Sequence, residues 1–264
     1  MTMPAVEAAP VKTENGYQRP AVTRSFTFLC GPEVPCFTAC CADLRLPLTP
    51  YDVLRMKKRL RLTAGKFIAR YTKPSGGEFP FPLILLKMRD DEDRTCPFVS
   101  ARGCAVYEDR PGACRLYPLG RADLGRPEKE KGALYFLVEE PHCQGFLHGR
   151  DWTVEEWVQN QGAELYDEMN RPWIEIVMNE KGVMGKLTEQ RLAMFFMASY
   201  NLDRFREFVF QTKFFSVFDV SEEDRKKAAV DDLALMNLAV RWLRFAFFGE
   251  GSLIVNVGGA QNGR

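Results

Sequence analysis

Eight cysteines fall between Cys30 and Cys143, two of them adjacent at Cys40 and Cys41, and none follows before the chain ends at Arg264. No other feature constrains the chain as strongly. The spacing is C-x5-C-x3-CC, followed by Cys96, Cys104, Cys114 and Cys143. A chain of 264 residues with 46% apolar residues buries a sizeable core without covalent staples, so a disulfide framework is not required. The amino terminus has neither a basic n-region nor an apolar h-region, and no uncharged run is long enough to span a membrane. The chain therefore reads as cytoplasmic, with no membrane role. In a reducing compartment, clustered cysteines bind metal or do redox chemistry.

A structural zinc or an iron–sulfur cluster takes about four thiolate or imidazole ligands. Eight cysteines suffice for two such sites, or for one site with thiols left over for packing. The adjacent pair narrows the choice, because neighbouring side chains diverge on a strand and on a helix. Cys40 and Cys41 are then a ligand and a buried thiol, ligands to different irons of one cluster, or ligands to two sites. In the cluster reading, at least one of them joins Cys36 and cysteines of the 96–114 segment. His142 and His148 are the only histidines. A mixed zinc site including His142 is open, but the cysteines alone are enough.

Local patterns supply the frame. Thr49 caps a helix in "LTPYDVLRMKKRL", with Pro50 at its first position and Asp52 in its first turn. Thr63 caps a second in "AGKFIARY". "FPLILLKM" and "ALYFLVEE" read as strands. From residue 151 the pattern is helical. Thr153 and Glu156 form a capping box, with Trp157, Leu165 and Met169 on one stripe. Thr188 caps another helix. Ser221 opens a long one whose buried side is Leu235, Leu238, Trp242 and Phe245, ended by Gly249 and Gly251. "SLIVNV" reads as a last strand and "GGAQNGR" as a frayed end. The expected architecture is α+β. It comprises a flexible tail (1–20), a compact irregular cysteine-rich metal-binding domain with short strands (21–150) and a helical domain (151–264).

Residues 44–73 carry nine Lys or Arg against the single acid Asp52. The run lacks the interleaved aromatics of an RNA-binding surface, which argues against nucleic acid and for a solvated face or a field that supports thiolates. The formal net charge of +1 names no partner, so the protein partner or substrate stays unknown. Arg115, beside Cys114, either offsets the charge of a thiolate centre or points to solvent. Tyr107 and Tyr117 read as core or rim packing.

The segments "FTFLC", "CFTACC", "LTPYDVLRM", "CPFV", "GCAVYEDRP" and "CRLYP" together resemble the YkgJ-type cysteine-cluster family over residues 26–145. One departure is the gap of five residues between Cys30 and Cys36, where shorter gaps are usual. The resemblance implies a zinc- or iron-chelating domain, and a distant link to flagellin lysine N-methylases. The eight candidate ligands are Cys30, Cys36, Cys40, Cys41, Cys96, Cys104, Cys114 and Cys143. An iron–sulfur cluster, [4Fe-4S] in type, is favoured over Zn2+ because the set is nearly all sulfur. The expected function is metal binding that holds the cysteine domain together. The alternative is a cluster-dependent enzyme, methyltransferase-like (protein lysine N-methylation) or redox.

Overall fold

Thr49 starts the first helix as its sequence requires. Its hydroxyl accepts from the Asp52 N–H at 3.2 Å, and the Asp52 carboxylate accepts from the Thr49 N–H at 2.9 Å, which closes a reciprocal capping box. The structure, a computed structural model, describes residues 11–13, 16–18, 24–76, 80–122, 134–179 and 183–256. The expected frayed end at 258–264 and most of the expected tail at 1–20 lie outside these. Within that tail, Val11–Thr13 pairs antiparallel with Gly16–Gln18.

The helices are α1 (Pro50–Arg59), α2 (Ala64–Tyr71), α3 (Gly112–Leu116), α4 (Val154–Asn160), α5 (Ala163–Val177), α6 (Glu189–Tyr200), α7 (Leu202–Gln211), α8 (Phe214–Val217), α9 (Glu222–Val230) and α10 (Asp232–Phe248). Strands are short and lie in small antiparallel sheets, so the fold is mixed α+β. Two elements expected as continuous helices are broken. Gly162, at φ 60°, separates α4 from α5 and resets the phase. Leu165 is therefore exposed, and Tyr166 and Trp173 take the inward positions. Asp231 separates α9 from α10, its carboxylate accepting from the Leu233 and Ala234 N–H groups. Leu235, Leu238 and Trp242 are buried as expected, Phe245 only partly. Gly249 ends α10 at φ 65°.

The chain forms two compact units. The first combines Met1–Leu44 with Met88–Asp167, and the second combines Arg45–Lys87 with Glu168–Arg264. This division does not follow the partition into 21–150 and 151–264, because α1 and α2 leave the cysteine segments and join the later helices.

In the first unit, Ser25–Phe28 pairs antiparallel with Arg150–Thr153, and alternation turns Phe26 and Phe28 inward. They pack with Leu116, Leu119, Val154, Trp157 and Val158. The Trp157 ring meets Phe28 edge-on at 5.5 Å, and its indole N–H donates to the Leu116 carbonyl at 2.9 Å, so its polar handle is satisfied. Tyr117 and Cys143 pack against this cluster.

In the second unit, Ile84–Leu86 is the central strand between Pro47–Leu48 and Thr72–Pro74. α10 packs against α6, α7 and α9, and α1 against α2 and α6. Phe81 stacks on Phe195 at 4.3 Å. The aromatic run from 195 to 218 is chiefly core: Phe195, Phe205, Phe214 and Phe218 are buried. Part of the basic run is neutralised by later acids. Buried Lys57 bonds to Asp203 at 2.8 Å, and both Lys57 and Lys58 lie 3.5 Å from Asp232. Among the described residues no helix is long and apolar enough to cross a membrane.

Candidate metal centre

All eight cysteines belong to the first unit and none forms a disulfide. Cys30 is exposed and the other seven are half-buried. Four of them, Cys30, Cys36, Cys40 and Cys143, line one concavity whose apolar wall includes Phe28, Leu29, Val34 and Phe37. They come from two chain segments that the fold closes on each other. The Leu29 N–H donates to the Gly145 carbonyl at 3.1 Å, and the Gln144 N–H donates to the Cys36 Sγ at 3.1 Å.

Tight turns present the thiols of the first segment. The Phe37 N–H bonds back to Val34 and the Ala39 N–H to Cys36, then a 3-10 turn spans Ala39–Cys41. Thr38 enters that turn at φ 70°, a left-handed conformation that a β-branched residue rarely adopts. Such strain is held in place by its surroundings and gathers at functional sites. Of the adjacent pair, Cys40 lines the concavity and Cys41 does not. Cys36 shares this concavity with Cys30 and Cys143; the cysteines of 96–114, expected to join it in one cluster, are not among its lining residues.

Electrostatics show how unfavourable ionised thiols are in this site when unaided. Burial, followed by repulsion from Cys40, Cys36, Cys143 and Glu33, pushes Cys30 up to about 11. The Cys41 hydrogen bond, then burial, holds Cys40 far above the ordinary thiol range, and Glu140 adds to the effect. Tyr117 is raised far above a normal phenol by burial first and by the Cys143 thiol second. The buried Tyr117 hydroxyl faces that sulfur, yet no partner gives it a well-formed hydrogen bond. His142 lines the same concavity and lies 3.1 Å from Glu140.

Cys96 and Cys104 flank the hairpin of Val99–Ser100 and Gly103–Cys104: Val99 pairs with Cys104, and the Val99 N–H donates to the Cys96 carbonyl at 3.1 Å. Burial raises Cys96 and Cys104, while the backbone amides of Phe98 and Val99 favour the Cys96 anion and that of Val106 favours the Cys104 anion. Cys114 lies on α3. Among the described residues, no three His, Cys, Asp or Glu side chains stand at the mutual spacing of ligands to a single ion.

The donor chemistry nonetheless fits a thiophilic metal. Four thiols outside any disulfide crowd one concavity, and the buried Tyr117 hydroxyl could donate to a thiolate formed there. Sequence reasoning took Tyr117 for packing. It does pack against the core cluster, and its approach to Cys143, 26 residues away, left no signal in the sequence. Arg115 does not point to solvent; it is buried.

Residues 29–144, which contain all eight cysteines, match the CxxCxxCC family model, described as "Putative zinc- or iron-chelating domain". This stretch is thus similar to the cysteine-cluster family, and metal chelation is the property that the family's description gives. No curated protein and no solved structure gives a match.

Proposed function

We infer that the first unit is a metal-binding domain whose centre is held by Cys30, Cys36, Cys40 and Cys143. The observation that carries this reading is that four thiols from distant segments line one concavity. Metal binding removes the protons that burial and mutual repulsion hold on these sulfurs, so the metal's affinity is part of the domain's folding free energy. The favoured occupant is an iron–sulfur cluster. An all-sulfur donor set with an apolar wall suits it. When bound, the cluster would supply a one-electron redox centre. The chain's own residues would orient it: the Gln144 N–H at the Cys36 sulfur, and the Tyr117 hydroxyl at Cys143. A thiol-rich site of this kind belongs in a reducing compartment, consistent with a cytoplasmic protein.

The test is the iron, zinc and acid-labile sulfide content of protein purified without oxygen, alongside a Cys36→Ser, Cys143→Ser variant. Equimolar iron and sulfide, lost in the variant, are expected. Stoichiometric zinc without sulfide overturns the iron assignment, and full metal content in the variant overturns the ligand assignment.

A further inference from the structure

The first two helices of the second unit carry basic stripes. On α1 these are Arg55, Lys58 and Arg59. From α2 into the strand Thr72–Pro74 they are Lys66, Arg70 and Lys73, at steps of four and three. Arg61 joins them between the helices. α1 packs on α2, and α2 on that strand, so the stripes are neighbours within the unit. All of these cations are exposed except Arg55, which is half-buried. Asp52, the single acid of residues 44–73, is buried and committed to the Thr49 cap, while Asp203 and Asp232 serve Lys57, Lys58 and Arg206. Among the described residues no ion pair reaches Arg59, Arg61, Lys66, Arg70 or Lys73.

Three of these positions work against the fold. α1 ends in two main-chain bonds: the Leu62 N–H donates to the Lys57 carbonyl at 2.9 Å, and the Arg61 N–H to the Lys58 carbonyl at 3.1 Å. This ending puts one residue in the left-handed conformation and favours glycine there, yet Arg61 takes it at φ 54°. Lys66 stands in the first turn of α2, where the helix dipole disfavours a cation and the helix's own sequence supplies no acid. Lys66 and Arg70, four positions apart, repel along one face. Charge held where an uncharged or acidic residue suits the fold better points to a role outside the fold.

We propose that this surface of the second unit docks an acidic, amphipathic segment of a partner protein, independently of the metal centre. Carboxylates of the segment meet the cations that the fold leaves without an ion pair. Half-buried Leu60, Leu62 and Ile68 and the small, exposed Gly65 and Ala69 are interspersed with the cations along the chain. They give apolar side chains of the segment a seat that phosphates cannot use. No large apolar side chain of α1 or α2 is exposed, as insertion into lipid requires, and no exposed aromatic there offers a base a stacking surface.

The experiment titrates full-length protein against a fluorescent helix-forming peptide of Glu and Leu, with polyglutamate, a DNA duplex and phosphatidylserine vesicles as competitors. Wild type should bind the peptide more tightly than any competitor, and less tightly as salt rises. The decisive variant is Arg61→Gly, Lys66→Glu. The first change relieves the left-handed residue, and the second completes a capping box with Thr63 and pairs with Arg70. This variant should bind the peptide about tenfold more weakly while its melting temperature stays level or rises. Unchanged binding by the variant, or no binding by wild type, overturns the proposal. Tighter binding of the duplex or the vesicles overturns the choice of a protein segment. A lower melting temperature shows that the fold itself needs these cations and overturns the argument. If this variant does not fold, Arg70→Gln, Lys73→Gln decides, since it alters neither the cap nor the turn. It should weaken binding likewise, and wild-type binding by it overturns the proposal.

Discussion

The Cys41 carbonyl accepts a hydrogen bond from the Cys96 N–H at 2.8 Å. The next residues, Ala42 and Thr95, form an antiparallel bridge, and the Asp43 N–H donates to the Arg94 carbonyl at 3.0 Å. Three consecutive links thus join the chain where it leaves the first unit to the chain where it returns. Residues 45–87 are an excursion between those two points, spent on α1, α2 and the three-stranded sheet of the other unit. The cysteine unit therefore closes without them, and its long-range order rests on the core around Phe28 and Trp157, on the pairing of Ser25–Phe28 with Arg150–Thr153, and on whatever joins the thiols.

Metal removal should loosen this unit selectively. Its strands run two to four residues, and ligation energy is folding energy in such a domain. Limited proteolysis of chelator-stripped protein, or of Cys41→Ser, should cut within 24–44 and 88–122 before it cuts α6–α10. Equal resistance of loaded and stripped protein would show that the metal is not structural.

Legibility in the sequence followed the range of the interactions. Caps at Thr49, Thr63, Thr153, Thr188 and Ser221 depend on residues three positions apart, and all five form. The breaks at Gly162 and Asp231 are also local, but apolar spacing runs across them, and periodicity is blind to a change of phase. Partner choice was the hardest part. Amphipathicity shows that Phe67 of α2 is buried, but not that α2 packs against α7. Cysteine spacing likewise offers candidate ligands, while their grouping is decided by backbone contacts such as Leu29 to Gly145, far apart in sequence.

Lys57 anchors the second unit. Its ammonium is buried, bonded to Asp203, and Asp203 also accepts from the Ala64 N–H at the start of α2, at 2.6 Å. Burial opposes ionisation of Asp203, but the bonds from Lys57 and Ala64 outweigh it, and its pKa ends below the usual value. Lys57→Met should cost about 1–3 kcal/mol, below the full cost of breaking a buried pair because Asp203 is partly solvated. A depressed folded-state pKa gives stability that is present above the unfolded value, near about 3.9, and lost as pH falls through the folded one. Urea unfolding should therefore show the gap between wild type and Lys57→Met narrowing from about pH 5 towards about pH 2. A gap that does not change with pH would contradict this assignment.

Gly145 fixes the floor of the four-thiol concavity. A Cβ there would stand 2.5 Å from the Phe28 ring and 2.7 Å from the Leu29 carbonyl oxygen, and that main-chain atom cannot swing aside. Gly145→Ala should push Leu29, and with it Cys30, away from Cys143. The expected cost is about 1–3 kcal/mol of stability together with weakened metal retention. Calorimetry and metal content of the purified variant report both, and wild-type values for both would mean that the two segments need not touch.

Tyr117 separates the metal-free protein from the loaded one. Without metal, its buried hydroxyl lacks a well-formed partner, a situation that costs about 1–3 kcal/mol for a buried polar group. Tyr117→Phe should therefore leave the melting temperature of stripped protein unchanged or raise it. With metal bound, Cys143 is a thiolate and the phenol can donate to it, a charge-assisted bond of about 1.5–3 kcal/mol. Hydrogen bonds to cluster sulfurs stabilise the reduced, more negative state, so removing this one should lower the reduction potential of the loaded protein. Redox titration of both proteins, followed by visible absorption, measures the shift. A destabilised stripped protein with an unchanged potential would place the hydroxyl in the packing of the fold and not at the metal.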